Sequence, residues 1–209
     1  MREEPCASRI SFAAMAYHHG DLRRALVRGA LELLREGGPA ALTLRGAARR
    51  AGVSPAAPYR HFKDKRELLA AVAEEGFLDL DRHAAEEIAA AGDDAILRFR
   101  QHGLAYVRFA IDHPDHYRVM FGPEIADKRE YAALDAASRA AFDRLYESLR
   151  LCQKAGVLPA GDIEPRAVRA WALVHGLASL FMDGQLVGTG AHGRDEFLAM
   201  VDTIFSSTW

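Results

Sequence analysis

Basic side chains are concentrated in one short stretch of the chain. Between residues 43 and 66 there is one acidic residue, Asp64, and there are seven basic ones: Arg45, Arg49, Arg50, Arg60, Lys63, Lys65 and Arg66. Guanidinium and ammonium groups at this density neutralise the phosphates of a nucleic acid. A solvated helix face is the alternative for each arginine taken alone. Their closeness to the lysines favours a surface that contacts phosphates.

The charge of the whole chain is divided in the same way. The 209 residues have a formal net charge of −2, but residues 1–66 contain thirteen Lys and Arg against six Asp and Glu. Residues 67–209 contain fourteen basic and twenty-three acidic residues. A basic head on an acidic body indicates that the head meets a polyanion. Chance clustering of charge is the alternative.

Two short helices joined by a tight turn must position these basic groups. Thr43 is suited to cap the first helix, and Gly52 can adopt the left-handed conformation that the turn requires. Ser54 and Pro55 then predict the start of the second helix, with Ser as N-cap and Pro in its first position. Pro58 conflicts with a regular helix there, because it removes a hydrogen bond and crowds the carbonyl of Ser54. We expect the regular helix to start a residue or two later, with Pro58 supplying an apolar contact.

Helical periodicity prevails in the rest of the chain, and no alternating strand pattern occurs. The predicted helices cover residues 21–36, 43–51, 65–91, 95–112, 114–121, 127–155, 164–187 and 194–206. The fold class is therefore all-α, with an N-terminal three-helix helix-turn-helix DNA-binding domain and a C-terminal helical domain. We divide the chain into a disordered arm (1–17), the helix-turn-helix domain (18–66) and a helical C-terminal domain (67–209). Without a long apolar run or a signal sequence, the location is predicted to be cytoplasmic, away from membranes.

Catalytic and metal-binding patterns are missing from the sequence. There is no nucleophile elbow, phosphate-binding glycine loop or zinc-protease motif. His113 and His116 lie three residues apart, but no acidic or thiolate partner stands at ligand spacing. Cys6 and Cys152 match neither a disulfide framework nor a metal knuckle. We therefore predict that the protein is not an enzyme and uses no metal or cofactor.

Several motifs together resemble the tetracycline-repressor (TetR) family. The block from His18 to Leu69 is similar to the DNA-binding domain of that family. The resemblance is carried by Thr43-Leu44-Arg45, Ala51-Gly52-Val53-Ser54, Tyr59-Arg60-His61-Phe62 and Lys63-Asp64-Lys65 before Leu68-Leu69. It implies phosphate contacts from Thr43, Tyr59, His61 and Lys65. It also places Arg45, Ser54, Ala56, Ala57 and Arg60 at or near the major groove of double-stranded DNA.

The C-terminal half resembles the "WHG" subgroup of the same family. The run from Trp171 to Gly176 and the segment from His113 to Phe121 carry this similarity. The resemblance implies a homodimer in which residues 67–209 form the effector-binding and dimerisation domain. That domain is expected to enclose a pocket for a small-molecule effector. The predicted lining is Tyr106, Phe109, Phe142, Tyr146, Trp171 and His175. A plain aromatic core is the alternative for each of these residues.

The last two helices are predicted to form the dimer interface. Apolar residues cover more than one side of the helix at 164–187, so its own domain can bury only part of them. The helix at 194–206 has further apolar positions, and the two helices suit a four-helix seam with a twofold partner.

These features predict a repressor that a small hydrophobic effector releases from a palindromic operator. The sequence leaves three alternatives open: an activator of the same architecture, a small-molecule carrier whose head no longer reads DNA, and an enzyme built on a helical bundle.

Overall fold

The computed structural model describes residues 19–208, and the predicted arm at 1–17 lies outside them. Within that range the chain forms eight α-helices and contains no strand, which confirms the all-α class. The helices are α1 (His19–Ala41), α2 (Leu44–Arg50), α3 (Lys65–Ala90), α4 (Ala95–Asp112), α5 (Pro114–Phe121), α6 (Ala132–Lys154), α7 (Glu164–Met182) and α8 (Arg194–Thr208). Short 3₁₀ segments occur at Ala57–Arg60, Pro123–Ile125 and Lys128–Glu130.

Side chains close to the helix ends explain where α3 and α4 begin. Asp64 accepts a hydrogen bond from the Glu67 backbone N–H at 2.9 Å, and the Glu67 carboxylate accepts one from the Lys63 N–H at 2.7 Å. Asp94 accepts from the backbone N–H groups of the second and third residues of α4. These bonds satisfy donors that have no partner inside the helix, so both starts could be predicted from the sequence.

Several helix boundaries differ from the predicted ones. α1 reaches Ala41 instead of ending at residue 36, but it is kinked at Gly37 and Gly38, whose backbone angles are non-helical. α7 ends at Met182 instead of residue 187, because Gly184 and Gly188 adopt positive φ angles in the turn that follows. α6 begins at Ala132 instead of residue 127, since a separate 3₁₀ turn precedes it. α8 continues to Thr208, two residues beyond its predicted end.

α3 is the central helix of the fold. Its first turns bury Leu68 and Leu69 with the residues of α1 and α2, and its later turns pack against α4, α5 and α6. A single apolar core therefore extends from Leu26 in α1 to Phe205 in α8. A smaller second core contains Phe99, Leu149, Cys152, Ala167 and Ala170.

No helix among residues 19–208 is both long enough and apolar enough to cross a membrane.

Candidate functional site

Two glycines allow α1 and α2 to pack closely. A Cβ atom on Gly29 would lie 2.8 Å from the Ala47 carbonyl oxygen, and one on Gly46 would lie 2.9 Å from a methyl carbon of Leu33. Thr43 precedes α2 in an extended conformation, and its hydroxyl accepts a hydrogen bond from the Gly46 N–H at 2.9 Å. The cap and the close packing fix the orientation of α2 against α1.

The turn after α2 has the predicted geometry. Gly52 has a φ of +69°, in the left-handed region where a Cβ is unfavourable. The Gly52 N–H donates to the Arg49 carbonyl, and the Val53 N–H donates to the Ala48 carbonyl at 3.0 Å. This pair of hydrogen bonds is a Schellman motif, which ends a helix and redirects the chain.

The second helix of the motif is shorter than predicted. The expected helix with Ser54 as N-cap and Pro55 in its first position does not form. Instead, a 3₁₀ segment of four residues begins at Ala57, and no side chain caps it. The cause is Pro58, which has no N–H to donate to the Ser54 carbonyl. That carbonyl accepts a hydrogen bond from the Ala57 N–H at 3.0 Å, while Pro58 is buried and supplies an apolar contact.

Most of the predicted DNA-contacting residues lie on the exposed side of this region. The exposed ones are Thr43, Arg45, Ser54, Ala56, Tyr59 and Arg60, and the half-buried ones are Ala57, His61 and Lys65. Tyr59 exposes 53% of its surface, which is unusual for an aromatic side chain without a partner to cover it. The predicted DNA-contacting residues run from Thr43, just before α2, through the turn and the 3₁₀ segment to Lys65 at the start of α3.

Ion pairs divide the basic residues of the head into two groups. Arg50 is held by Glu36 at 2.6 Å and Glu32 at 3.3 Å, and Lys63 lies 3.2 Å from Glu67. Within residues 19–208, no ion pair involves Arg45, Arg49, Arg60 or Lys65. The unpaired group is therefore available to an external anion, whereas Arg50 is already neutralised.

An apolar space lies between the helices of the C-terminal half. Its cavity volume is about 50 Å³. Residues from all six helices α3 to α8 surround it, most of them aromatic or aliphatic. The lining comprises Phe77, Leu80, Asp81, Ala84, Phe99, His102, Gly103, Tyr106, Phe121, Ala141, Phe142, Leu145, Ala170, Trp171, Val174 and Phe205.

Tyr106, Phe142 and Trp171, three of the six residues predicted to line a pocket, lie in this wall. Phe109 is instead buried beside the His113 ring, at 5.0 Å between ring centroids. Tyr146 packs in the smaller second core and carries the Arg150 guanidinium over its ring. Phe109 and Tyr146 lie three and four positions from Tyr106 and Phe142 on nearly the same helix faces. They do not line the space because other side chains pack against them at their level of the helix.

His175, the sixth residue, does not line the apolar space; it contacts the Tyr106 hydroxyl instead. Its Nδ1 lies 2.9 Å from the Tyr106 hydroxyl and 2.7 Å from that of Tyr117. Burial lowers the pKa of His175 and raises the pKa of Tyr106 well above its ordinary value. His175 therefore contacts the lining of the apolar space only through Tyr106. It also borders a second, more polar cleft that Ser179 lines.

Sequence reasoning missed two polar residues in the wall, Asp81 and His102. Both Asp81 oxygens bind the Arg144 guanidinium, at 2.5 Å to Nε and 2.8 Å to a terminal nitrogen. His102 Nδ1 lies 3.3 Å from the Ser148 hydroxyl. Burial, reinforced by the nearby positive charge of Arg144, lowers the pKa of His102 to about 4. Only their placement on helix faces that otherwise carry apolar residues could have indicated them.

The solvent side of α7 carries an apolar stripe that the described chain does not cover. Its members recur every four residues and are Val168, Ala172, Gly176 and Leu180. Val168 is 53% and Leu180 45% exposed. Positions four apart align along one helix face, and the small residues in the middle leave room for the backbone of another helix.

Comparison with known proteins agrees with this architecture. Residues 26–72 match the family described as bacterial regulatory proteins, tetR family, and residues 99–204 match the family described as tetracyclin repressor-like, C-terminal domain. A protein of unknown function from Rhodococcus sp. RHA1 is 36% identical, with a TM-score of 0.77 over 91% of this chain and 96% of that one.

Two more distant structures share the fold. The TetR family transcriptional regulator PfmR from Thermus thermophilus is 19% identical, with a TM-score of 0.65 over 88% of this chain and 98% of that one. The transcriptional regulator FadR from Bacillus subtilis, solved in complex with stearoyl-CoA, is 15% identical, with a TM-score of 0.70 over 88% of this chain and 95% of that one.

The helix-turn-helix head and the helical body define a DNA-binding transcriptional regulator. The chain belongs to the TetR family, since the match to its C-terminal domain alone covers half of the residues. That family consists of regulators and not of enzymes.

Proposed function

We propose that this protein is a homodimeric, cytoplasmic repressor that a small hydrophobic effector releases from a palindromic operator. The observation that carries the proposal is the course of α3. The same helix packs Leu68 and Leu69 into the head and lines the apolar space with Phe77, Leu80 and Asp81. A ligand that prefers one position of α3 would shift the head as well.

Residues 18–66 act in this proposal as the DNA-binding domain and residues 67–209 as the effector-binding and dimerisation domain. Ion pairs connect the two parts beside α3: Arg23 of α1 binds Glu74 at 2.7 Å, and Arg35 binds Asp115 of α5 at 3.2 Å. A change in the helices around the apolar space therefore reaches α1 along α5 as well as along α3.

The apolar stripe on α7, together with α8, forms the proposed dimer interface. The twofold partner would cover Val168 and Leu180 and bring two heads to one operator. Dimeric helix-turn-helix proteins read half-sites about one helical turn apart, or a multiple of it, at roughly 34–36 Å per turn.

The residues of the proposed DNA surface make two kinds of contact, to base edges and to phosphates. Arg60 is exposed and forms no ion pair within the described part of the chain, so we assign it to base edges. Lys65, Thr43, Tyr59 and His61 are assigned to phosphates. Arg60→Ala should weaken operator binding selectively, whereas Lys65→Ala should weaken binding to all DNA alike. Arg82→Ala is the matched control, because Arg82 lies farther along α3 in ion pairs with Asp79 and Glu86.

Fluorescence anisotropy on the DNA that flanks the gene, against a scrambled duplex at two salt concentrations, tests the proposal. We expect sequence-selective binding that weakens steeply as salt rises. If DNA selected from random sequence is bound no better than the scrambled duplex, the head does not read DNA. Equal losses on both duplexes for Arg60→Ala and Lys65→Ala would contradict the division of labour.

A further inference from the structure

The turn that leads into the 3₁₀ segment of the head presents an apolar surface. Pro55 and Ala56 are exposed and Ala57 is half-buried, so the side chains at the surface between Ser54 and Tyr59 are hydrocarbon. We call these three residues the apolar tip. Base edges in the major groove are read by hydrogen bonds or by apolar contact. Since no side chain of the tip has a donor or an acceptor, it can read a base only by apolar contact.

The backbone of the apolar tip does not replace the missing polar side chains. Pro55 and Pro58 have no N–H, and the Ala57 N–H donates to the Ser54 carbonyl at 3.0 Å. An amino or carbonyl group of a base that is pressed against the tip therefore loses its hydration without gaining a partner, which is unfavourable. The one apolar group on the major-groove edges of the bases is the C5 methyl group of thymine. Thymine is thus the base that matches this surface.

Hydrogen bonds and packing hold the apolar tip in place. The Pro58 carbonyl accepts from the backbone N–H groups of His61 and Phe62, both at 2.9 Å. Phe62 is 3% exposed and belongs to the same core as Leu68. The rings of Pro55 and Pro58 fix two φ angles as well. The tip therefore loses little conformational freedom when it meets a base, so that even one methyl contact contributes to affinity.

The charges around the apolar tip indicate its partner. Arg45, Arg49 and Arg60 are exposed, Lys65 is half-buried, and none of the four has an ion-pair partner in the part of the chain that the structure describes. An apolar protein surface docked on the tip would bury some of these cations without counter-ions. DNA supplies phosphates to the cations and thymine methyl groups to the tip.

We propose that the apolar tip reads a thymine in each operator half-site through its C5 methyl group, and that the Ala56 methyl group makes this contact. Ala56 is the exposed residue in the middle of the tip. Cytosine, in contrast, would bring no methyl group to this position. The inference deepens the proposed DNA binding and rests on it. It adds a thymine to the base edge that Arg60 contacts, and makes Ala56 a specificity-determining residue.

Removal of single methyl groups from the DNA tests the contact. The full chain first selects its preferred duplex from random sequence, and each thymine of that duplex is then replaced by 2′-deoxyuridine, which lacks only the methyl group. Fluorescence anisotropy should show a loss of affinity of about fourfold at one or two positions of a half-site, the loss expected for one buried methyl group. Replacement in both half-sites should cost about fifteenfold. A cytosine at the same position should be bound about fourfold more tightly when it carries a 5-methyl group.

Removal of the protein methyl group assigns the contact to Ala56. Ala56→Gly is measured on the thymine duplex and on the duplex with deoxyuridine at the sensitive positions. Its loss of affinity on the thymine duplex should exceed that on the deoxyuridine duplex by at least about fourfold, because the second duplex has no contact left to lose. Any effect of glycine on the backbone is common to both duplexes. Ala126→Gly is the matched control, since Ala126 is also an exposed alanine beside a 3₁₀ segment but lies in the body, and it should change neither affinity.

Three outcomes would overturn the inference and leave the proposed function standing, because the selected duplex is still bound in each. The first is a selected half-site without thymine. The second is a duplex in which no replacement by deoxyuridine lowers the affinity by more than about twofold. The third is an equal loss on both duplexes for Ala56→Gly. If selection yields no DNA that is bound better than a scrambled duplex, the proposed function fails and the inference fails with it.

Discussion

Acid should destabilise this protein through His102. The ring projects from α4 and contacts the Ser148 hydroxyl of α6. Its pKa falls from the ordinary 6.5 to about 4 in the folded chain. The unfolded chain therefore binds a proton below pH 6.5 that the folded chain refuses until about pH 4. The contribution of His102 to the free energy of unfolding is therefore fully present above pH 6.5. It is lost progressively as the pH falls from 6.5 towards 4.

The size of the effect follows from the width of the window. Each unit of pKa difference corresponds to about 1.36 kcal/mol, so lowering the pH from 7 to 5 should cost about 2 kcal/mol per chain. The complete shift corresponds to about 3 kcal/mol and is reached near pH 4. Other groups titrate over the same range, so the contribution of His102 must be isolated by difference.

Urea unfolding of the wild type and of His102→Gln, at pH 7 and pH 5 and one protein concentration, gives that difference. The wild type should lose about 2 kcal/mol more than the variant between the two pH values. His192→Gln removes an exposed histidine instead and should follow the wild type. Parallel losses in the wild type and His102→Gln would refute the assignment of a buried, neutral His102.

Three further predictions concern packing, the ion pair of the wall and assembly. Gly29→Ala should lower the free energy of unfolding by about 2 kcal/mol, measured by urea denaturation, because its methyl group meets the Ala47 carbonyl; unchanged stability would mean that α1 and α2 are not in close contact. Arg144→Leu should cost about 2 kcal/mol by stranding the Asp81 carboxylate, and Asp81→Asn added to it should restore most of the loss; additive losses would contradict the pairing. Leu180→Glu should shift sedimentation velocity from dimer to monomer, since it places charges face to face across the seam, and a persisting dimer would exclude this interface.

Local chemistry made much of the fold predictable from sequence. Asp64 and Thr43 cap helices through bonds that span only three residues, and Gly52 satisfies a backbone conformation that side chains avoid. The TetR resemblance and the basic head followed from short motifs in the same way. The second helix of the motif showed the limit, because two local signals competed: Ser54-Pro55 favours a helix start, and Pro58 prevents the hydrogen bond that would continue it.

The apolar space depended on contacts between residues far apart in the chain. Helical periodicity shows that Tyr106, Phe109, Phe142 and Tyr146 are on apolar faces, but not which neighbouring helix each face meets. The sequence alone therefore determined most of the helices, the caps at Thr43 and Asp64 and the class of regulator. The tertiary structure decided which rings enclose the space and brought Arg144 to Asp81, sixty-three positions away. The reason is physical: caps and turns form within a few residues, whereas a pocket exists only where several helices pack together and leave a gap.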